Sequence, residues 1–155
     1  MRLSVFSVIG TSFFLLSFMT LQDIRKAENL QDLIEQENYR TFPRPPGFEK
    51  RVPSTIPHEI EAGIKVDIYM NGVIEKALNE NESLKEWPVG SVMVKEGFID
   101  GKQVVTAAMW KTEGGWFWVQ WNAAGLELTA GHPQFCVSCH SLGDDMLRAI
   151  KLPTK

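Results

Sequence analysis

Between Gly63 and Trp121 strand-like segments recur, separated by a short helical and polar stretch and then by glycine-bearing dipeptides, and this pattern limits the fold more than any other feature. Ile64, Val66, Ile68 and Met70 alternate with Lys65, Asp67 and Tyr69, the signature of a half-buried strand. Further strands are predicted near Val89–Gly97, Gln103–Lys111 and Trp116–Trp121, with Asp100-Gly101 and Gly114-Gly115 between them as hairpin turns. Helical spacing of Ile24, Ala27, Leu30, Leu33 and Ile34 predicts an amphipathic helix over 23–39. A short helix is predicted over about 72–79, leading into a polar stretch from Asn79 to Glu86. From Phe42 to His58 five prolines lock φ and remove amide donors, which predicts an extended wrapping segment. The expected class is α+β: a mainly antiparallel β-sheet with flanking helices.

The strand Trp116–Trp121 is apolar on both faces, with Trp116 and Trp118 on one and Phe117, Val119 and Trp121 on the other. Such a strand sits centrally or is covered by a second layer or a ligand. On the preceding strand, the small side chains of Ala107 and Ala108 leave room for something bulky, and sheet packing alone would also account for both features.

At 155 residues the chain has the length of one domain. Its 19 acidic and 16 basic residues give a net charge of −3, which argues against a nucleic-acid partner, since phosphate neutralisation needs a basic face. Residues 3–22 carry no charge, and Arg2 precedes them, as in an export signal. Met19, Thr20 and Leu21 supply no small-residue cleavage pattern, and the run is long enough to cross a bilayer. Residues 1–22 are therefore expected to be a signal peptide or an uncleaved membrane anchor. Residues 23–155 then form a periplasmic or otherwise exported domain.

Cys136-Val137-Ser138-Cys139-His140 is the attachment pattern of haem c. Two thiols a helical turn apart add across the two vinyl groups of the macrocycle, and the next residue, His140, is held beneath the iron as its metal ligand. One covalent haem is expected, consuming both cysteines of the chain. A structural zinc site would need His58 and His132 as further ligands. A dithiol redox pair would sit at the start of a βαβ unit, rather than near the C-terminal end. For the sixth iron position the candidates are Met70, Met93, Met109, His132 and Met146. A motif so late in the chain favours an open distal face, which binds small gases or reacts, whereas a six-coordinate iron mainly shuttles electrons.

Asn38-Tyr39-Arg40, Ile68-Tyr69-Met70-Asn71, Gly90-Ser91-Val92-Met93-Val94-Lys95-Glu96, Gly114-Gly115-Trp116-Phe117-Trp118 and the haem motif follow one another. In that order they resemble the cytochrome P-460 family, which includes the cytochromes c prime beta. The resemblance covers nearly all of residues 23–155 and implies a P-460-like haem-binding fold, a homodimer, and a five-coordinate haem ligated by His140. It implies either nitric oxide binding or, in the P-460 proteins proper, oxidation of hydroxylamine. In the latter the lysine matching Lys95 is joined to the haem edge, which makes Lys95 the candidate catalytic and cofactor-binding residue. On the pleat Lys95 shares a face with Ser91 and Met93, so it points either at haem or at water. The chain departs from the family's enzymes at Ile64-Lys65-Val66-Asp67, where they carry an arginine. No distal carboxylate is evident, Glu127 being the nearest acid upstream of the motif. A redox partner protein is expected, but no motif specifies which.

Overall fold

The computed structural model describes residues 20–80 and 83–154. The expected signal or anchor lies outside them, save for residues 20–22. Among the described residues no helix is long and apolar enough to cross a membrane.

Six strands form one antiparallel sheet in sequence order: β1 (Val52–Pro53), β2 (Lys65–Met70), β3 (Val92–Ile99), β4 (Lys102–Thr112), β5 (Gly115–Asn122) and β6 (Glu127–Gly131). Flanking helices are α1 (Leu21–Gln36), α2 (Pro57–Glu61), α3 (Gly72–Asn79) and α4 (Gln134–His140). The expected α+β class with an antiparallel sheet is therefore observed. At the β3–β4 turn, Ile99 pairs with Lys102 across Asp100 and Gly101, at φ 49° and 79°. Positive φ at both central residues matches the right-handed twist of the strands, and Gly101 adopts it without a Cβ penalty.

Strand alternation gives the sheet two apolar faces, and a different layer covers each. On one face Tyr69, Val92, Val94, Phe117, Val119 and Trp121 pack against Ala27, Leu30 and Ile34 of α1. On the other, Val66, Ile68, Met93, Met109 and Trp118 pack with Ile74 of α3, Trp87, and Leu147 and Ile150 near the C-terminus. The two-faced reading of Trp116–Trp121 thus describes a strand covered on both sides.

Helix α1 begins earlier than expected, because Thr20 and Asp23 form a reciprocal capping box. It ends at Gln36 rather than at residue 39: Asn38 is left-handed (φ 49°) and a single 3-10 turn, Tyr39–Thr41, follows. The proline-rich segment is not wholly extended. Pro57, at the first helical position where its missing N–H costs nothing, opens α2. Asn71 joins three elements: its Oδ1 accepts the amides of Ile74 and Val92, and its Nδ2 donates to the Gly90 carbonyl. Val89 to Ser91 therefore belong to a turn, and β3 starts at Val92.

Candidate functional site

The register of the central strands builds a flat floor on the face away from α1. Ile68, Lys95, Ala107 and Gln120 form one cross-strand row, and Met93, Met109 and Trp118 form the next. Ala107 stands between Lys95 and Gln120, so the row is low at its centre, while Ala108 points into the opposite core. Over this floor lies a cavity of about 300 Å³. Its remaining walls come from Phe48, the Ser54–Glu59 region, α4 and Leu147–Ala149.

Cys136, Cys139 and His140 all line this cavity. Their spacing on α4 places them on one side of the helix. Both thiols are unpaired and half-buried. Burial pushes the Cys136 thiol up to about 11, which keeps it protonated at neutral pH. Cys139 Sγ lies 2.9 Å from the Arg148 guanidinium. Burial also lowers the His140 pKa, with the nearby charges of Lys95 and Arg148 acting in the same direction and the hydrogen bond to Met146 opposing. The ring is thus neutral. Its Nδ1 is 2.8 Å from the Met146 carbonyl, and a carbonyl only accepts, so Nδ1 carries the proton and Nε2 keeps its lone pair for a metal.

The loop that presents the Met146 carbonyl is held by two residues, Lys111 and Trp87. Asp145 and Met146 are both left-handed, at φ 44° and 69°. Lys111 Nζ reaches both oxygens of the Asp145 carboxylate, at 2.9 and 3.1 Å. The fully buried Trp87 donates its backbone N–H to Asp145 and its indole N–H to the Asp144 carbonyl.

Lys95 points into the cavity, where its Nζ is 2.6 Å from Glu59 Oε1. The other Glu59 oxygen accepts the Ser54 hydroxyl. Glu59, on α2, is the carboxylate in the cavity wall that the sequence reading lacks; Pro57 at a helix start followed two residues later by an acid was its only local signal. Glu127 lies elsewhere, on β6, where burial and Glu28 of α1 raise its pKa. Met93 and Met109 line the cavity and Met70 does not, while Met146 supplies its carbonyl. His132 is exposed, edge-on to Phe117 and Trp118 outside the cavity lining. His58 lines the cavity and His132 does not, and among the described residues no three of His, Cys, Asp and Glu converge as a metal-holding group. Among the described residues, the buried Nε1 of Trp118 has no hydrogen-bond partner.

Compared with models of protein families, with curated proteins and with solved structures, the chain matches none.

Proposed function

We propose that the protein is an exported mono-haem c-type cytochrome of the P-460 type, whose His140-ligated, five-coordinate iron does redox chemistry or binds a small gas such as nitric oxide. The observation that carries the reading is the convergence of Cys136, Cys139 and His140 on one apolar-floored cavity, with His140 Nε2 free for a metal. The residues present fit the group: the protonated Cys136 thiol suits addition to a vinyl group, and Ala107 clears the floor for a flat ring. When bound, the haem supplies an iron that exchanges electrons or takes a diatomic ligand. The chain's own part is to orient the imidazole through Met146 and to exclude water with Trp118, Met93 and Met109. The homodimer and a redox partner protein belong to the same reading, as does export directed by residues 1–22.

A second reading has its own support. Lys95 and Glu59 share the cavity, a lysine available for a haem cross-link beside a carboxylate able to accept a substrate proton. That pair favours hydroxylamine oxidation. In a six-coordinate electron carrier, by contrast, Met93 or Met109 would supply the sixth ligand from the floor.

The test is the absorption spectrum of the matured protein in its ferrous state, before and after carbon monoxide. A high-spin spectrum that shifts with carbon monoxide supports the open haem. A strongly red-shifted Soret band moves the assignment to the cross-linked enzyme, and Lys95→Arg should then abolish both the red shift and hydroxylamine turnover. A low-spin spectrum indifferent to carbon monoxide leaves the electron carrier, and absence of covalent haem overturns the whole reading.

A further inference from the structure

The other face of the sheet carries a second cavity, of about 370 Å³, and its chemistry is unlike the first. Asp67 and Glu96 point from β2 and β3 toward the α1 side, and each is only 2% exposed. Three arginines from the segment between α1 and β2 close over them. Arg40 pairs with Glu96, while Arg44 and Arg51 pair with Asp67 at 2.9 and 3.1 Å. Each guanidinium also lies over an aromatic ring: Arg40 on Tyr39 at 4.7 Å, Arg44 on Tyr69 at 4.6 Å, Arg51 on Phe98 at 3.4 Å. Salt bridge and stacking together fix the position of each charge before any ligand arrives.

Two further observations indicate that this cluster is more than an ion-pair network closing the surface. The first is charge: Lys50 joins the three arginines in the wall, so four cations face two carboxylates and two positive charges stay uncompensated. The donors are not used up either. Among the described residues Lys50 makes no ion pair, and Arg40 spends only one guanidinium nitrogen. The second is backbone strain. Arg51 sits at φ 60°, a conformation that L side chains rarely adopt and that costs about 1–3 kcal/mol. There its own N–H, at 2.7 Å, and its Nε both land on Asp67. Burial works against the Asp67 charge, but the Arg51 and Arg44 hydrogen bonds more than offset it and hold the carboxyl below its usual range. The carboxylates are thus the fixed base on which the arginines are mounted, and Arg40, Arg44 and Lys50 line the cavity.

We propose that this cavity binds a small oxyanion carrying two or more negative charges, a phosphate or a dicarboxylate, through Lys50, Arg40 and Arg44. Guanidinium forks suit the paired oxygens of either group, and Lys50 supplies a mobile point charge at the rim. The inference does not depend on the haem reading, because the site lies across the sheet from the cysteines.

The experiment is calorimetric titration of the matured full chain with inorganic phosphate and, separately, succinate, against sodium chloride at equal ionic strength. A saturable one-to-one response to either oxyanion supports the site, and which of the two binds assigns its chemistry. Responses indistinguishable from chloride overturn it, since screening alone would act equally in all three. Lys50→Gln removes an exposed cation that no ion pair uses, so the fold is preserved and affinity should fall about tenfold, the effect of one charged hydrogen bond. Unchanged affinity in Lys50→Gln overturns the assignment of the ligand to this cavity. Arg44→Gln should abolish the response, with the melting curve as its folding control.

Discussion

Lys111→Met isolates the contact that holds the His140 loop. Lys111 is 6% exposed on β4, and its ammonium bridges Asp145, whose side chain is 18% exposed, and Glu86, at 71%. The pair to Glu86 contributes little, because water screens it. Asp145 is different: without Lys111 it stays mostly buried as an anion, with the Trp87 N–H as its one remaining strong donor. Breaking a fully buried pair costs about 3–5 kcal/mol. Discounted for the residual exposure of Asp145, the loss should be about 2–3 kcal/mol, or about 6–10 °C in Tm for a domain of this size. The double variant Lys111→Met/Asp145→Asn removes the stranded charge and should recover about 1 kcal/mol or more relative to the sum of the single variants. On the proposed haem reading, the iron–histidine stretching band should also shift or broaden in Lys111→Met, because the Met146 carbonyl would hold the imidazole less firmly. Thermal melting of the four proteins of the cycle, with resonance Raman on the wild type and Lys111→Met, gives all of these quantities. A Lys111→Met protein melting within about 2 °C of wild type, or strictly additive variants, would refute the reasoning.

Three other expectations concern single residues. In Gly143→Ala, the new Cβ would run into the backbone of Leu147 and Arg148; nothing there can yield, so denaturant melting should show a loss of about 2 kcal/mol or more. Asp67 has a lowered folded pKa, so its contribution to stability is present above the ordinary carboxylate value and lost as pH falls through the folded one. Asp67→Asn should therefore be less stable at pH 7, and its urea midpoint should fall less steeply than the wild type's on acidification below about pH 4. In the chain that retains residues 1–22, Thr20→Ala removes one half of the capping box on α1 and should cost about 1 kcal/mol in chemical denaturation.

How far the sequence carries is seen by comparing particular elements. Helix α3 runs over the residues its periodicity predicts, and β2, β4 and β5 fall within a residue or so of expectation. These are segments whose signals are local: alternation along the strand, glycine at a turn, a short apolar period in the helix. Strand β6 was not expected, because Glu127–Gly131 is short and weakly apolar and becomes a strand only by pairing with β5. Helix α2 has little signature in the sequence for a similar reason, since five residues inside a proline-rich stretch show no period.

The site divides along the same line. The spacing Cys136, Cys139, His140 is a property of the chain, as is the position of Lys95 on the Met93 face of its strand. Tertiary structure alone decided that these two sets share a cavity, that Glu59 stands against Lys95, and that His140 leans on a carbonyl held by Lys111 and Trp87. It likewise gathered Arg40, Arg44, Lys50 and Arg51 around two buried carboxylates. The physical reason is range. Backbone preference and hydrophobic period act over a few residues and leave a trace in sequence, whereas an ion pair such as Lys95–Glu59 joins positions 36 apart, and only the completed sheet brings them together.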